Sequence, residues 1–224
     1  MIITIDGPTA SGKSTLGRML AKELDHYYLY SGLMFRALAY VLKHQYDYTK
    51  EQFEHPRMED VEKVLDPKRF VYTYDDQHKE RIFFDEVDIT PYLKAGGIDQ
   101  LASVVSRNGE LREKLMQLQR SIAKSADVIV DGRDSGSVVF PCADYKFYVT
   151  ASEDERAKRW LKQQGKYGTD DSLEEARIFI NERDQRDMKR KNAPLIIPEG
   201  AHVINNTDQT PQETLTAMLA IMGR

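Results

Sequence analysis

The sequence predicts an α/β fold: a five-stranded parallel sheet core with helices on both faces, an inserted lobe with a small antiparallel sheet, and a short helical lid. Three observations predict it. Short continuous apolar runs recur at Ile2-Ile3-Thr4-Ile5, Val128-Ile129-Val130 and Lys146 to Ala151, and parallel strands covered on both faces read as such runs. Stretches with apolar residues at helical spacing stand between them. Once, from Arg69 to Phe84, the period changes to two, as a hairpin requires.

The first strand runs into Gly7-Pro8-Thr9-Ala10-Ser11-Gly12-Lys13-Ser14, a glycine-to-glycine span closed by Lys-Ser, and then Thr15. That is the phosphate-binding loop pattern, and strand before and helix after are the context it needs. Leu16, Met19, Leu20 and Leu24 give the following helix its apolar face. His26 to Tyr30 reads as a second strand ending at Ser31-Gly32. Leu33 to about His44 reads as a helix, with Phe35, Leu38, Ala39 and Leu42 on one side. Tyr46 to Pro67 is polar and mixed in sign, and reads as a solvated face with no element assigned.

Phe70, Tyr72 and Tyr74 alternate before Asp75-Asp76, and Arg81 to Phe84 runs back; Glu86 to Thr90 adds a third short strand. One helix is expected from Leu101 to Ala123, carrying Leu111, Leu115, Leu118 and Ile122. After the strands at Val128–Asp131 and Lys146–Ala151, a helix spans about Ser152 to Gln164. Ser172-x-x-Glu175 is a capping box that announces the next, which Pro194 must end. His202 to Ile204 is the last strand. Thr210-Pro211-Gln212-Glu213 caps the last helix, with proline at its first position. The expected organisation is one domain over 1–224: a core of 1–44 and 101–224, an inserted lobe at 45–100, and a lid with flanking helices at 153–191.

Composition narrows the function. Apolar residues make up 41% of the 224, enough for a core. A net charge of −4 argues against a broad nucleic-acid surface. Cys142 is the only cysteine, which excludes an intrachain disulfide and a multi-cysteine metal site; it reads as a small buried hydrophobe. No apolar stretch is long enough for a membrane span. No secretory leader is visible, because the first strand starts at Ile2, so a cytoplasmic monomer without membrane or nucleic-acid partners is expected.

The loop implies a nucleoside triphosphate. Its backbone N–H groups and the helix end converge on phosphate, Lys13 reaches the β- and γ-phosphates, and the Ser14 hydroxyl holds Mg²⁺. Asp131-Gly132-Arg133-Asp134 starts where a core strand ends, on the side where open α/β sheets carry their ligands. Asp131 is placed to help hold Mg²⁺, and Arg133 and Asp134 follow it; an ordinary Asp-Gly surface turn is the alternative. Arg183, Asp187 and Arg190 share one helical stripe with Ala176 and Phe179 upstream, which fits a ligand cleft and a solvated, salt-bridged helix equally. Arg36, beside Phe35 after Ser31-Gly32, can hold a phosphate with two parallel hydrogen bonds; a solvated arginine on a helix surface is the alternative.

Together these segments resemble the bacterial cytidylate kinase family, a branch of the P-loop nucleoside monophosphate kinases. The resemblance covers nearly the whole chain. It includes the phosphate loop, Ser31-Gly32-x-x-Phe35-Arg36, Ala102-Ser103 with Arg112, Asp131-Gly132-Arg133-Asp134 through Phe140-Pro141, and Glu182-Arg183-Asp184-x-Arg186-Asp187. It implies that Arg36 and Arg133 hold the CMP phosphate, that Ser103, Arg112, Asp134 and Arg190 read cytosine, and that Arg183 and Asp187 hold the ribose. It implies that Ser31 and Phe35 join the CMP site, that Arg156 and Arg159 flank a short lid over ATP, and that the hairpin insertion is the monophosphate-binding lobe. Lys13, Asp131, Arg133 and Arg183 would carry the transfer, with CMP or dCMP as acceptor. The family usually has tyrosine at Phe35 and commonly aspartate at Tyr30, and an arginine it carries appears here only as Lys94, within Lys94-Ala95-Gly96-Gly97.

The lobe and the lid are expected to close over substrates, with Gly165 and Gly168 as flexible points. Two rival classes stay open: a kinase for another small acceptor, such as UMP or shikimate, and a nucleotide-sensing P-loop protein without turnover. A GTPase is disfavoured, since Asn205-Asn206-Thr207-Asp208 lacks the lysine of a guanine reader. The histidines show no metal-ligand spacing.

Overall fold

The computed structural model describes residues 1–94, 97–165 and 170–224. Ala95, Gly96 and Gly168 from the sequence reading lie outside the described residues. In chain order the elements are β1 (Ile2–Asp6), α1 (Lys13–Leu24), β2 (Tyr27–Tyr30), α2 (Ser31–Gln45), α3 (Lys50–Glu54), α4 (Met58–Val64), β3 (Phe70–Tyr74), β4 (Glu80–Phe84) and β5 (Val87–Asp88). Then come α5 (Ile98–Val105), α6 (Gly109–Ala123), β6 (Val128–Asp131), β7 (Tyr145–Thr150), α7 (Glu153–Gln163), α8 (Asp170–Lys189), β8 (His202–Asn205) and α9 (Pro211–Ile221). Two sheets form, a five-stranded one ordered β2-β6-β1-β7-β8 and a three-stranded one ordered β3-β4-β5.

The chain folds as two compact units, Met1–Tyr27 with Ala126–Arg224, and Tyr28–Ser125. In the first, β1 pairs in parallel with β6 on one side and β7 on the other, and β7 pairs in parallel with β8. Ile3, Ile5, Val128, Ile129, Val130, Phe147 and Val149 are fully buried, which explains why these strands carry no alternation. Leu16 and Leu20 bury the inner face of α1, which packs on β6 and α9. α7 and α8 pack through Ala157, Leu161, Ala176 and Ile180, with the Trp160 and Phe179 rings 4.7 Å apart. Because β1 lies between β6 and β7, the loops leaving the carboxyl ends of β1 and β6 emerge side by side, and a ligand crevice is expected there.

The second unit has its own core. Leu33, Met34, Leu38, Val41 and Leu42 bury one face of α2 against α4, α5 and β4. The hairpin contributes Phe70, Ile82 and Phe84, in a register that pairs Phe70 with Phe84. The third strand forms at Val87–Asp88, within the expected Glu86–Thr90.

Four expectations are corrected. The single helix over 101–123 is two, α5 and α6, because the Asn108 side chain accepts from the Leu111 amide at 3.0 Å and caps a new start. The stretch 46–67 is not a featureless solvated face: it forms α3 and α4, which bury Phe53, Val61 and Val64. α8 begins at Asp170, so Ser172 sits in its first turn and is not its cap. Cys142 is exposed, on a turn closed by the Ala143 amide donating to the Phe140 carbonyl at 3.0 Å.

Among the described residues no helix is long and apolar enough to cross a membrane.

Candidate active site

The phosphate loop is shaped by backbone conformations that few residues allow. Gly7 sits at φ 148°, where an added Cβ would lie 2.0 Å from the Val149 carbonyl oxygen. Gly12 at φ 97° is the left-handed residue from which α1 starts, and Ala10 also has a positive φ of 58°. Lys13 is buried in the first turn, and its ammonium donates to the Pro8 carbonyl at 2.6 Å and to Ser11 Oγ at 3.3 Å. Burial pushes its pKa down to about 7, helped by the nearby Arg133 charge; Asp131, Asp184 and Asp6 pull the other way. An arriving phosphate therefore favours the charged form of Lys13 and draws its proton back.

Side chains from distant segments brace the loop. The Asp184 carboxylate accepts from the Thr9 amide at 2.8 Å, and Arg156 donates to the Thr9 carbonyl at 3.1 Å while pairing with Asp184. Asn206 Nδ2 and Arg159 donate to the Ser11 carbonyl at 3.1 and 3.3 Å. Arg159 also donates to Asn206 Oδ1 at 2.9 Å and to Glu155 at 2.9 Å. Arg156 and Arg159 thus both sit on the loop's own backbone. Beside Arg159 a cleft of about 580 Å³ opens, lined by Gly12, Thr15, Lys162, Gln209 and Pro211 among others.

At the end of β6, Asp131 is buried and the Gly132 amide donates to the Ile5 carbonyl at 3.2 Å. Arg133 donates through Nε to Asp187 Oδ2 at 3.0 Å and through Nη2 to Thr9 Oγ1 at 3.4 Å. Arg190, one residue past α8, donates to the Ala193 carbonyl at 2.5 Å and to Asp134 Oδ1 at 3.4 Å; its other nitrogen lies 3.6 Å from Asp187 Oδ1. Burial pushes the Asp187 carboxyl upward, but Arg133, Arg190 and Arg183 outweigh it and hold the pKa below the usual carboxylate value. Asp134 opens a π-turn, Ser135–Val139, whose first two amides donate to the buried Asp6 at 2.8 and 2.7 Å.

The loop, Asp131, Arg133, Asp134, Arg156, Arg159, Arg183, Asp187 and Arg190 all belong to the first unit. Ser31, Phe35, Arg36, Ser103 and Arg112 belong to the second. There the Arg112 guanidinium lies 5.2 Å from the Phe35 ring centre and donates to the Ser106 carbonyl at 3.1 Å, while Arg36 lies 5.6 Å from the Tyr30 ring. Ser31 is the first residue of α2, Ser103 lies on α5, and Lys94 is exposed.

Sequence reasoning assigned no role to Asp6, Asp184 or Asn206. Asp184 lies within Glu182-Arg183-Asp184-x-Arg186-Asp187 and Asn206 within Asn205-Asn206-Thr207-Asp208. Asp6 left no signal beyond being the residue before the loop.

The family model for cytidylate kinase matches residues 3–224. The chain belongs to the cytidylate kinase family. It is 40% identical over 213 residues to a cytidylate kinase from Caldanaerobacter subterraneus subsp. tengcongensis, covering 95% of this chain and 90% of that one. It is 35% identical to one from Thermodesulfovibrio yellowstonii, covering 97% and 96%. It is 33% identical to one from Enterococcus faecalis, covering 96% and 92%. The crystal structure of an uncharacterized protein from Eubacterium ventriosum shares the fold, with TM-score 0.55, 9% identity, and 100% and 98% of the two chains covered. As a cytidylate kinase family member the chain is a nucleoside monophosphate kinase, and the expected α/β kinase core with its small antiparallel sheet is the fold observed.

Proposed function

We propose that this protein transfers the γ-phosphoryl group of ATP to CMP, giving ADP and CDP, with dCMP as a second acceptor. The observation that carries the reading is Arg133: it leaves the strand beside the phosphate loop, touches Thr9 of that loop, and pairs with Asp187 of the family's α8 motif.

Phosphoryl transfer asks for an in-line acceptor and neutralised equatorial oxygens more than for covalent help. The loop amides and Lys13 hold the donor phosphates. Thr15 and Arg159 border the cleft for the donor base. The Ser14 hydroxyl and the Asp131 carboxylate are hard oxygen ligands, a set that fits Mg²⁺ arriving with its nucleotide. Bound there, Mg²⁺ would neutralise charge on the β- and γ-phosphates. Arg133 and Arg183 stand ready for the transferring group and the acceptor phosphate. Asp187, kept anionic by three arginines, suits ribose hydroxyls. No side chain need act as base, because the acceptor phosphate is already an anion. Ser31, Phe35, Arg36, Ser103 and Arg112 take the CMP-binding roles that the resemblance implies, and Asp134 with Arg190 takes the base.

An ADP-release assay across CMP, dCMP, UMP, AMP, GMP and shikimate tests this. Turnover with CMP and dCMP is expected. ADP release that needs no acceptor, or that needs UMP, AMP or shikimate instead, overturns it.

A further inference from the structure

We propose that Asp6 is a positioning residue for base recognition: its carboxylate fixes the π-turn Ser135–Val139 and so aims Asp134 at the acceptor base. The inference rests on Asp134 being the base-reading carboxylate.

The first N–H groups of a helical turn have no partner within the turn and need an outside acceptor. The residue at the cap usually supplies it from its own side chain. Here the cap residue is Asp134, and its side chain makes no capping hydrogen bond. Asp6, 129 residues before Ser135 and at the end of β1, does so instead. It accepts from the Ser135 amide at 2.8 Å and from the Gly136 amide at 2.7 Å, one oxygen for each. That substitution leaves the Asp134 carboxylate for other partners, Arg190 among them.

The turn has little room to shift. Its winding starts at Asp134, whose carbonyl accepts from the Val138 and Val139 amides at 2.9 and 3.1 Å. Gly136 lies flush on β1: an added Cβ would meet Thr4 Oγ1 at 2.6 Å and Asp6 Oδ2 at 3.2 Å. Any movement that lengthens the Asp6 contacts therefore moves the backbone that carries Asp134. A carboxylate is the group this geometry requires. An asparagine would keep one acceptor and turn an NH₂ donor toward the other amide, leaving two donors face to face. Asp6 is fully buried, and burial pushes its pKa up to about 6; the two amides and then Lys13 oppose that rise, while Asp134 adds to it.

The test compares Asp6→Asn, Gly136→Ala and Asp134→Ala with the parent, reading kcat/KM for CMP and UMP and the KM for ATP. Asp6→Asn is expected to shrink the CMP-to-UMP ratio by about fivefold or more, through an amide left without its acceptor. The ATP KM should move far less than that ratio, because both Asp6 oxygens bind the turn and reach Lys13 of the phosphate loop only through charge. A folded Asp6→Asn protein that loses both acceptors equally overturns the inference. If Asp134→Ala shrinks the ratio and Asp6→Asn does not, this inference falls alone; if neither does, the base reading falls first and takes it along. Should Asp6→Asn fail to fold, Gly136→Ala strains the same turn and must shrink the same ratio. In the unaltered protein, CMP should slow amide exchange across residues 133–140 by roughly tenfold, and UMP should slow it less. Equal protection by both nucleotides overturns the proposal.

Discussion

Asp184 and Arg156 hold the two backbone polar groups of Thr9 between them, the carboxylate on its N–H and the guanidinium on its C=O, while pairing with each other. A buried ion pair is seldom a net source of stability, but breaking one from one side leaves a charge stranded. Here the stranded group would also release the phosphate loop. Asp184→Ala should cost about 3–5 kcal/mol of stability in denaturant unfolding. Asp184→Asn keeps an acceptor for Thr9 and should cost less, while still raising the ATP KM. If Asp184→Ala unfolds at the parent's denaturant midpoint, the pair does not brace the loop.

Lys13 makes two linked predictions. Lys13→Met, which keeps most of the volume, should lower turnover on the order of 10³-fold with an unchanged circular dichroism spectrum, because a cation on the transferring group is lost. Activity within tenfold of the parent contradicts that role.

The same lysine should take up a proton when nucleotide binds. Free, its pKa lies near 7, so at pH 8 it is mostly neutral; phosphate raises the pKa and draws the proton in. Calorimetry of ATP binding without acceptor, in buffers of different ionisation enthalpy, should show uptake at pH 8 that Lys13→Met abolishes. Stability follows the same linkage. Between pH about 7 and 10.5 the unfolded chain binds this proton and the folded one does not, so the lysine lowers stability at neutral pH, and the penalty fades as pH rises. Relative to Lys13→Met, the parent should gain stability across that window.

Thr49 tests a helix that the sequence reading passed over. Its side chain accepts from the Gln52 amide at 3.4 Å while Gln52 Oε1 accepts from the Thr49 amide at 2.8 Å, a complete capping box on α3. Thr49→Ala should cost about 1 kcal/mol of stability. Its kcat and KM values should stay at the parent's.

That box was legible, and a polar composition hid it. Elsewhere the local signals were enough. Buried parallel strands must be apolar throughout, so β1, β6 and β7 announced themselves, and the Thr210–Glu213 box gave the start of α9. The split at Asn108 was harder, since apolar residues stand on both sides of it, Leu101 to Val105 before and Leu111 onward after, and the Asn108 cap marks the new start. Loop residues whose chemistry acts on phosphate were legible because Gly7, Gly12 and Lys13 lie within one short segment. Asp6, Asp184 and Asn206 were not, because each acts on a backbone group 129 to 195 residues away. No periodicity or spacing encodes such a contact; it exists only once β1, α8 and the segment after β8 have assembled.

Base choice isolates the most specific part of the reading. Cytosine presents an amino donor at position 4 and an acceptor at N3, and uracil presents the reverse. In the function proposed above, the Asp134 carboxylate, held against Arg190, would accept from the cytosine amine but meet the uracil oxygen acceptor to acceptor. A site built for one pattern rejects the other because its buried groups lose their partners. A matched polar contact is worth roughly 1–3 kcal/mol of discrimination. Asp134→Ala should therefore lower kcat/KM for CMP far more than for UMP, shrinking their ratio by about tenfold or more. The ATP KM should barely move, because the loop and the cleft beside Arg159 are left intact. Were both acceptors to fall together at a constant ratio, Asp134 would be holding the fold or a metal and not reading the base.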